Sequence, residues 1–342
     1  MSVCRAWIDS PYGRGDFSLL NPRLWLSSRG NVSKRGPAFA ATVSNWRKVI
    51  SGIFVSECIN ADNALCYVCG MGAQAAALAK LSEKIPLEIV IGSDGDDLEL
   101  RGRWFASTIA SLCRLYVPSS AALRLLESRY PDSAHKFEVR PAGTSKKHPD
   151  IPCPMHTRSD RNFTFLSVGG TAGNNRVDLA TRLMKALSVA RPDTSINWIH
   201  LGSVKDIDAV KRELAGAPSN LDYEFLSDSD DAVSIYTGQS VDWSLYLSAG
   251  ELSLPREICE SLSYGVPVIG SDTPGVNEIV DVDSGLLLSA DPTDEEFVRG
   301  IAPYLDSDYR SAALRQSAFE KWKHSYDASI QRAALAEELA DI

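Results

Sequence analysis

The sequence has 342 residues, of which 44% are apolar and 23% are charged, and this length and composition are typical of two packed globular domains. Disorder, collagen and repeat solenoids are excluded. The net charge of −9 is divided unequally: residues 1–150 carry 19 Lys and Arg against 14 Asp and Glu (+5), and residues 151–342 carry 16 against 30 (−14), so the two halves are expected to meet different partners.

In residues 1–147, apolar runs bounded by Gly and Pro alternate with segments of helical period, which is typical of a parallel sheet wound by crossover helices. The predicted strands are Val3–Ile8, Leu65–Cys69, Leu87–Ile91, Arg114–Val117 and Lys136–Arg140. The predicted helices are Pro37–Ile50, Met71–Glu83, Arg103–Cys113 and a helix capped by Ser119 or Ser120 that ends at Tyr130. Residues 19–34 show no clear period.

Residues 148–160 hold three prolines and no apolar period, so they are predicted to link this domain to a second one at residues 161–318. The second domain repeats the alternation, with a predicted helix at Val177–Ala190. Its predicted strands are Phe163–Val168, Ile196–Leu201, a strand near Tyr223–Leu226, Trp243–Leu247 and Val266–Ile269. Residues 319–342 form a predicted amphipathic helix that packs back on the first domain.

The N-terminus lacks the apolar core of a signal peptide, and no apolar run approaches the roughly 18 residues of a membrane span, so a cytoplasmic location is expected. The seven cysteines are an odd number, and reduced thiols are expected. Cys66 and Cys69 have the spacing of half a zinc or redox site, but no second pair completes it, which favours buried structural thiols. The five histidines show no metal-like spacing, and surface or linker positions are expected for them.

The segment from Asp242 to Val280 is the richest in candidate functional residues. It places Glu251, Glu260 and Glu278 at or near the ends of predicted strands. Carboxylates accept hydrogen bonds from hydroxyl groups, and backbone N–H groups at helix starts bind phosphates. This combination suits a sugar nucleotide, but solvated acids at helix ends explain the same residues, and the pattern by itself leaves both interpretations open.

The segment resembles the donor-binding signature of the retaining glycosyltransferases of family 4 (glycosyl transferases group 1), which have the GT-B fold. That signature is a Glu, seven residues, a second Glu, a small-residue helix, Gly-x-Pro-Val, a Ser and Gly-x-x-Glu. Here Glu260 corresponds to the second Glu and is followed by Gly265-Val266-Pro267-Val268, Ser271, Gly275 and Glu278. Weaker matches extend the resemblance from about residue 60 to the C-terminus, at Phe165–Gly169, Val177–Leu179, Lys136–Gly143, Gly92–Asp94 and Phe319–Trp322.

The resemblance implies an α/β protein with two Rossmann-like, doubly wound domains that face a central cleft. It also implies a hexosyltransferase of polysaccharide biosynthesis that uses a nucleoside-diphosphate sugar, with no metal or other cofactor required. In that family the leaving diphosphate is thought to assist the acceptor hydroxyl, so the protein positions the reactants and stabilises the diphosphate. The implied catalytic residues are Glu251 and Asp94. The implied donor-binding residues are Gly169, Gly170, Asn175, Arg176, Gly202, Leu252, Ser253, Leu254, Glu260 and Glu278, and Gly13, Arg14 and Gly15 are implied on the acceptor side.

The position of the first Glu departs from the family spacing. Counting back from Glu260 places Leu252 there, whereas aligning from Asp242 places Glu251 there with one residue added before Pro255. A loop absorbs one residue at little cost, so Glu251 is favoured.

The pair of cations that neutralises the diphosphate in the family is also absent. An Arg and a Lys are expected where this chain has Gly170 and Asn175, and a His frequent in the family is replaced by Ile91. Arg176 could turn inward to replace the Lys, and backbone amides of residues 169–175 could bind the diphosphate at a helix N-terminus.

The implied acceptor is a glycan or a lipid-linked sugar near residues 11–15 and 92–97. A plain turn explains residues 11–15 equally well. For the acid cluster Asp94, Asp96, Asp97 and Glu99, a solvated loop is favoured over a metal site. The mildly basic first domain leads us to expect an anionic acceptor and peripheral contact with the inner membrane surface, and no nucleic acid. Two alternatives stay open. One is a degenerate, non-catalytic subunit that binds a sugar nucleotide or a partner protein, and the other is a sugar-nucleotide epimerase or a phosphorylase, for which no convincing acid–base His is evident.

Overall fold

The structure of the protein, a computed structural model, describes residues 3–8, 25–26, 63–68, 87–91, 106, 109–110, 112–141, 143–146, 161–169, 176–204, 206–227, 232–238, 240–248, 250, 254–331 and 333–334. The chain divides into two compact units, Met1–Ala142 and Gly143–Ile342. The predicted linker at 148–160 and the predicted helices at 37–50 and 71–83 lie outside the described residues.

The first unit contains a six-stranded parallel sheet with the order β2-β1-β3-β4-β5-β6. Its strands are β1 (Val3–Ile8), β2 (Trp25–Leu26), β3 (Asn63–Val68), β4 (Leu87–Ile91), β5 (Arg114–Val117) and β6 (Phe137–Val139). Helix α1 (Ser120–Arg129) begins after Ser119, whose Oγ accepts a hydrogen bond from the N–H of Ala122 at 3.0 Å. A 3₁₀ turn, Pro131–Lys136, then leads into β6. The predicted strands β1, β4 and β5 are confirmed at the residues given above.

The second unit contains a six-stranded parallel sheet with the order β12-β11-β10-β7-β8-β9, which is the Rossmann strand order. Its strands are β7 (Asn162–Val168), β8 (Ser195–Leu201), β9 (Leu221–Leu226), β10 (Trp243–Tyr246), β11 (Val268–Ser271) and β12 (Gly285–Leu288). Its helices are α2 (Val177–Ala190), α3 (Ile207–Leu214), α4 (Ala232–Gly238), α5 (Arg256–Ser263), α6 (Asp294–Leu305) and α7 (Asp308–Lys321). Helix α2 is confirmed at its predicted ends, and β12 was not predicted.

Helices cover both faces of this second sheet, as the hydrophobic runs of its strands require. On one face α2 and α6 pack on the sheet through a continuous apolar cluster that includes Phe165, Leu183, Trp198, Trp243 and Phe297. On the other face a cluster joins α5 to α7 and to the residues that follow α7; it includes Ile258, Leu262, Ala318, Trp322 and Tyr326. The sheet is therefore held rigid from both sides.

The described part of residues 319–342 packs within the second unit. Helix α7 ends at Lys321, a π-helical turn covers Trp322–Tyr326, and helical residues follow from Ala328. The predicted contact of this tail with the first domain stays a prediction. Among the helices that the structure describes, none is both long and apolar enough to cross a bilayer.

Gly285, the first residue of β12, allows the close packing of β12 against β11 to be tested. A Cβ atom on Gly285 would collide with the backbone carbonyl oxygen of Val268 on the neighbouring strand. Because backbone atoms inside a sheet have no room to move away, Gly285→Ala is expected to lower the free energy of unfolding by about 3 kcal/mol or more, measured by urea denaturation followed by tryptophan fluorescence.

Gly216→Ala is the matched control, because a Cβ there meets only the Lys185 Nζ atom, at 4.0 Å. Its unfolding midpoint should differ little from that of the wild type. Equal stability of the two variants would contradict the packing of β12 against β11.

Candidate functional site

The strand order of the second sheet reverses between β7 and β10. From β7 the chain continues to β8 and β9 on one side, and from β10 it continues to β11 and β12 on the other. In open parallel sheets the two diverging connections leave a crevice at the carboxyl ends of the strands where the order reverses, and ligands bind there. We call the carboxyl ends of β7, β8, β10 and β11, together with the residues that follow them, the switch edge.

Glycines end two neighbouring strands at the switch edge. Gly169 follows β7 with a φ of 145°, and Gly202 follows β8 with a φ of 137°. Their N–H groups donate to the carbonyl oxygens of Leu201 (3.0 Å) and Leu226 (3.1 Å), which extends the ladder by one residue before each chain turns. Residues with a side chain rarely adopt such φ values, so glycine is required for the turn and leaves backbone accessible to a ligand. Both residues are among the predicted donor-binding set.

Arg176 joins the two connections across the reversal. Its N–H group donates to the carbonyl oxygen of Leu247, just after β10, at 2.8 Å, and Arg176 is also the N-cap of α2. Its guanidinium makes no capping hydrogen bond; it donates to the carbonyl oxygen of Ala290 (3.2 Å) and to Asp291 Oδ1 (3.1 Å), in the loop after β12. The first turn of α2 thus begins beside the loop that follows β10.

Glu260 lies half-buried on α5, beside the buried residues Ile258, Cys259 and Leu262. The helix follows directly on the loop after β10, with Pro255 as its N-cap. Burial raises the pKa of the Cys259 thiol to about 12, with the charge of Glu257 adding to the rise, so this cysteine is an inert core residue.

Two stacked tyrosines lie near Glu260. The rings of Tyr236 and Tyr264 are 5.3 Å apart and almost coplanar, at 12°. Burial raises the pKa of Tyr236 well above its usual value, and the negative charge of Glu260 raises it further. Tyr236 is therefore neutral at any physiological pH and can act only as a hydrogen-bonding and packing group.

The loop after β11 carries Glu278 and is fixed at several points. The Asn277 side chain donates to Asp272 Oδ1 at 2.8 Å, and the hydroxyls of Thr273 and Ser248 are 3.3 Å apart, which ties this loop to the end of β10. The Val276, Ile279 and Val280 side chains are buried. Glu278 is half-buried, and its carbonyl oxygen accepts a hydrogen bond from the Tyr326 hydroxyl at 3.2 Å.

The remaining predicted site residues stay predictions. Leu254 is described, and its side chain belongs to the core cluster with Ile258, so a donor contact there would come from its backbone. The predicted residues that lie outside the described part of the chain are Gly13, Arg14, Gly15, Asp94, Gly170, Asn175, Glu251, Leu252 and Ser253. Gly170 and Asn175 lie in the connection after β7, and Glu251, Leu252 and Ser253 lie in the connection after β10. Both connections begin and end at described residues of the switch edge.

One expectation about histidine is wrong. His200 is fully buried in β8, where its Nδ1 atom lies 2.8 Å from the Ser167 hydroxyl, and the Trp198 indole N–H donates to the same hydroxyl at 3.0 Å. His200 and Ser167 are register partners on β8 and β7. The sequence could have indicated this burial, because His200 lies two residues after Trp198 in an apolar strand, and residues two apart lie on the same face of a sheet. Over the described residues, no group of three His, Cys, Asp or Glu side chains is arranged to hold a metal ion.

No protein-family model and no curated protein matches the chain. Solved structures do match it. The chain aligns with the GtfA/B complex (18% identity, TM-score 0.64, 86% of this chain and 60% of that one), with HepE of Anabaena in complex with UDP (14%, 0.61, 90% and 83%), and with WaaB, a lipopolysaccharide outer core galactosyltransferase (15%, 0.61, 95% and 99%). It therefore spans less than two thirds of the GtfA/B chain. At these identities the likeness shows the fold, and the predicted GT-B fold with two Rossmann-like domains is confirmed.

The loop that carries Glu278 ends at Asp281, which forms an ion pair with Lys321. We expect this pair to make the free energy of unfolding depend on pH. The Lys321 ammonium lies 2.6 Å from Asp281 Oδ2, and the Ser284 hydroxyl donates to Asp281 Oδ1 at 2.9 Å. Burial alone would raise the pKa of Asp281, but these hydrogen bonds and the charge of Lys321 outweigh it and hold the pKa below its usual 3.8.

Lys321→Met is expected to be less stable than the wild type at pH 7, and the gap should narrow as the pH falls. Because the folded pKa of Asp281 is lower than the unfolded one, the pair contributes fully well above pH 3.8, and the contribution is lost as the pH falls through the lower folded value. Urea denaturation at pH 7, 5, 4 and 3 measures this.

Arg299→Met is the control for the charge change, since Arg299 and Glu295 form an exposed pair 3.7 Å apart. Exposed pairs contribute little, so this variant should match the wild type across the same range. A Lys321→Met deficit that does not change with pH would rule out the Asp281 pair as its cause.

Proposed function

We propose that the protein is a retaining glycosyltransferase that binds a nucleoside-diphosphate sugar at the switch edge and transfers the sugar to a glycan or lipid-linked acceptor. The observation that carries this proposal is the coincidence of two independent features. The strand-order reversal, where ligands of such sheets bind, falls at the connections that hold the family-like donor residues. Solved structures with this fold support the same chemistry, since they include a galactosyltransferase and a complex with UDP.

The diphosphate in this proposal lies at the start of α2, where the first backbone N–H groups of a helix have no partner within the helix. Glu260 accepts hydrogen bonds from the ribose hydroxyls, and Glu278 belongs to the same donor pocket. The glycine turns at Gly169 and Gly202 allow the donor to approach the backbone closely. Glu251 and Asp94 are the proposed catalytic residues, and no metal is required.

The transfer breaks the bond between the anomeric carbon and the diphosphate oxygen and forms a bond to the acceptor oxygen on the same face of the sugar. The acceptor hydroxyl gives its proton to the leaving diphosphate. No protein carboxylate attacks the anomeric carbon, so the protein acts by placing the two substrates and by stabilising the charge on the departing diphosphate.

The acceptor is proposed to bind the first unit, whose half of the sequence carries the net charge of +5 noted above. A basic surface suits an anionic glycan or lipid phosphate at the cytoplasmic face of a membrane. Co-sedimentation with liposomes tests this part separately: binding should increase with the fraction of anionic lipid and decrease with salt.

A second candidate is a subunit that binds a sugar nucleotide without transferring the sugar. The position of Arg176 favours it, because its guanidinium is paired with Asp291 and the two cations that the family places near the diphosphate are replaced by Gly170 and Asn175. Measurable donor binding together with no release of nucleoside diphosphate in a broad acceptor panel would favour this candidate.

The proposed donor site is tested by ligand binding. In a thermal-shift screen of UDP, GDP, ADP and their common sugar conjugates, one nucleotide family should raise the unfolding temperature of the wild type selectively. Glu260→Gln should weaken that nucleotide about 10- to 100-fold in calorimetry, because hydrogen bonds to a charged group contribute about 1.5–3 kcal/mol and each 1.4 kcal/mol is tenfold.

Glu224→Gln is the matched control, because Glu224 is exposed on β9. It should bind the same nucleotide with wild-type affinity. The proposal is abandoned if no nucleotide or nucleotide sugar binds the wild type, or if Glu260→Gln leaves binding and transfer unchanged.

A further inference from the structure

The residues that follow α7 form an unusual turn. Trp322–Tyr326 are wound as a π-helix, a rare conformation that often occurs at functional sites. The Trp322 and Tyr326 side chains are buried and pack in the same cluster as Ile258 and Cys259 of α5. The turn therefore lies against the helix that carries Glu260, and packing fixes its two aromatic side chains.

The beginning of the second unit fixes this turn from another direction. The Trp322 indole N–H donates to Thr144 Oγ1 at 3.0 Å, the Thr144 N–H donates to the Tyr326 carbonyl oxygen at 2.8 Å, and the Ala328 N–H donates to the Thr144 carbonyl oxygen at 3.1 Å. Gly143 has a φ of 69°, and a Cβ atom there would lie only 2.9 Å from backbone atoms of Ala328. The Tyr326 main chain is therefore held firmly in place.

The Tyr326 hydroxyl reaches from this fixed turn to the loop after β11. It donates to the Glu278 carbonyl oxygen at 3.2 Å, and the two residues are 48 positions apart in the chain. Burial raises the pKa of Tyr326, and the nearby Cys259, Glu278 and Asp281 raise it further, so the hydroxyl keeps its proton and donates at every physiological pH.

We propose that Tyr326 is a positioning residue for donor binding: its hydroxyl holds the backbone of Glu278, so that the Glu278 carboxylate is presented to the nucleotide sugar. The inference rests on the proposed function, in which Glu278 belongs to the donor pocket. The apolar side of the loop is held by Val276, Ile279 and Val280, and the Tyr326 hydrogen bond acts on Glu278, one of the two polar residues between Val276 and Ile279.

Tyr326→Phe tests this, because it removes one hydroxyl and keeps the buried ring. With the nucleotide sugar that stabilises the wild type most in the thermal-shift screen, we expect the Kd and the donor KM to rise about 3- to 10-fold and kcat to stay within about twofold, which corresponds to losing one neutral hydrogen bond. Tyr309→Phe, at an exposed tyrosine of α7, is the control and should change none of these values.

A double-mutant cycle separates positioning from general support of the fold. If Tyr326 acts through Glu278, Tyr326→Phe should add little to the loss of donor affinity in a Glu278→Ala background. A Tyr326→Phe protein that unfolds at a lower temperature but binds donor with wild-type affinity overturns the inference, and so do effects that add fully in the double mutant. Failure of the wild type to bind any nucleotide sugar overturns the proposed function itself, and with it this inference.

Discussion

The switch edge depends on one constraint, the reversal of strand order between β7 and β10. Because the connections after these two strands diverge, the start of α2 and the loop after β10 must meet above the reversal, and the hydrogen bond from the Arg176 N–H to the Leu247 carbonyl oxygen fixes how they meet. Gly169 and Gly202, which follow β7 and β8, allow the chain to turn at this same edge of the sheet. The predicted donor-binding loops therefore share one edge of one rigid sheet.

The acids at this edge are placed by apolar packing. Helix α5 buries Ile258 and Leu262 and thereby fixes Glu260, and the loop after β11 buries residues on both sides of Glu278. Interiors packed in this way have few voids and low compressibility, so the buried residues fix the backbone path of the polar residues between them. The π-helical turn Trp322–Tyr326 then adds a hydrogen bond, from the Tyr326 hydroxyl to the carbonyl oxygen of Glu278, whose own side chain is only half-buried.

Much of the fold could be predicted from the sequence, and the differences have local causes. The predicted strand Val266–Ile269 is displaced to β11 because the Val266 N–H and carbonyl oxygen both bond to Ser261, at the end of α5, and Pro267 has no N–H to donate. Strand β10 ends before Leu247 because the Leu247 carbonyl oxygen binds Arg176. Strand β2, with two residues, is too short to show a period.

The candidate site could be predicted less completely, because its contacts join distant segments. The signature around Glu260 and the glycines after β7 and β8 were evident in the sequence. The contact of Tyr326 with Glu278 depends on the path of α7, and the pairing of His200 with Ser167 depends on strand register; no local sequence pattern encodes either. The Arg176 guanidinium could be suspected of a functional role, but its partner in the loop after β12 could not be foreseen.

The ion pair of Arg176 bears directly on whether the site can stabilise a leaving diphosphate. Losing the two family cations removes two charge-assisted contacts, at about 1.5–3 kcal/mol each, whereas a helix N-terminus contributes about 0.3–1 kcal/mol and at most about 2. The α2 N-terminus alone therefore falls short. Arg176 can supply part of the difference, because its partner Asp291 is 77% exposed and an exposed ion pair is worth at most about 1 kcal/mol. Because the pair with Asp291 contributes so little, it is compatible with the proposed transferase, in which Arg176 contacts the diphosphate.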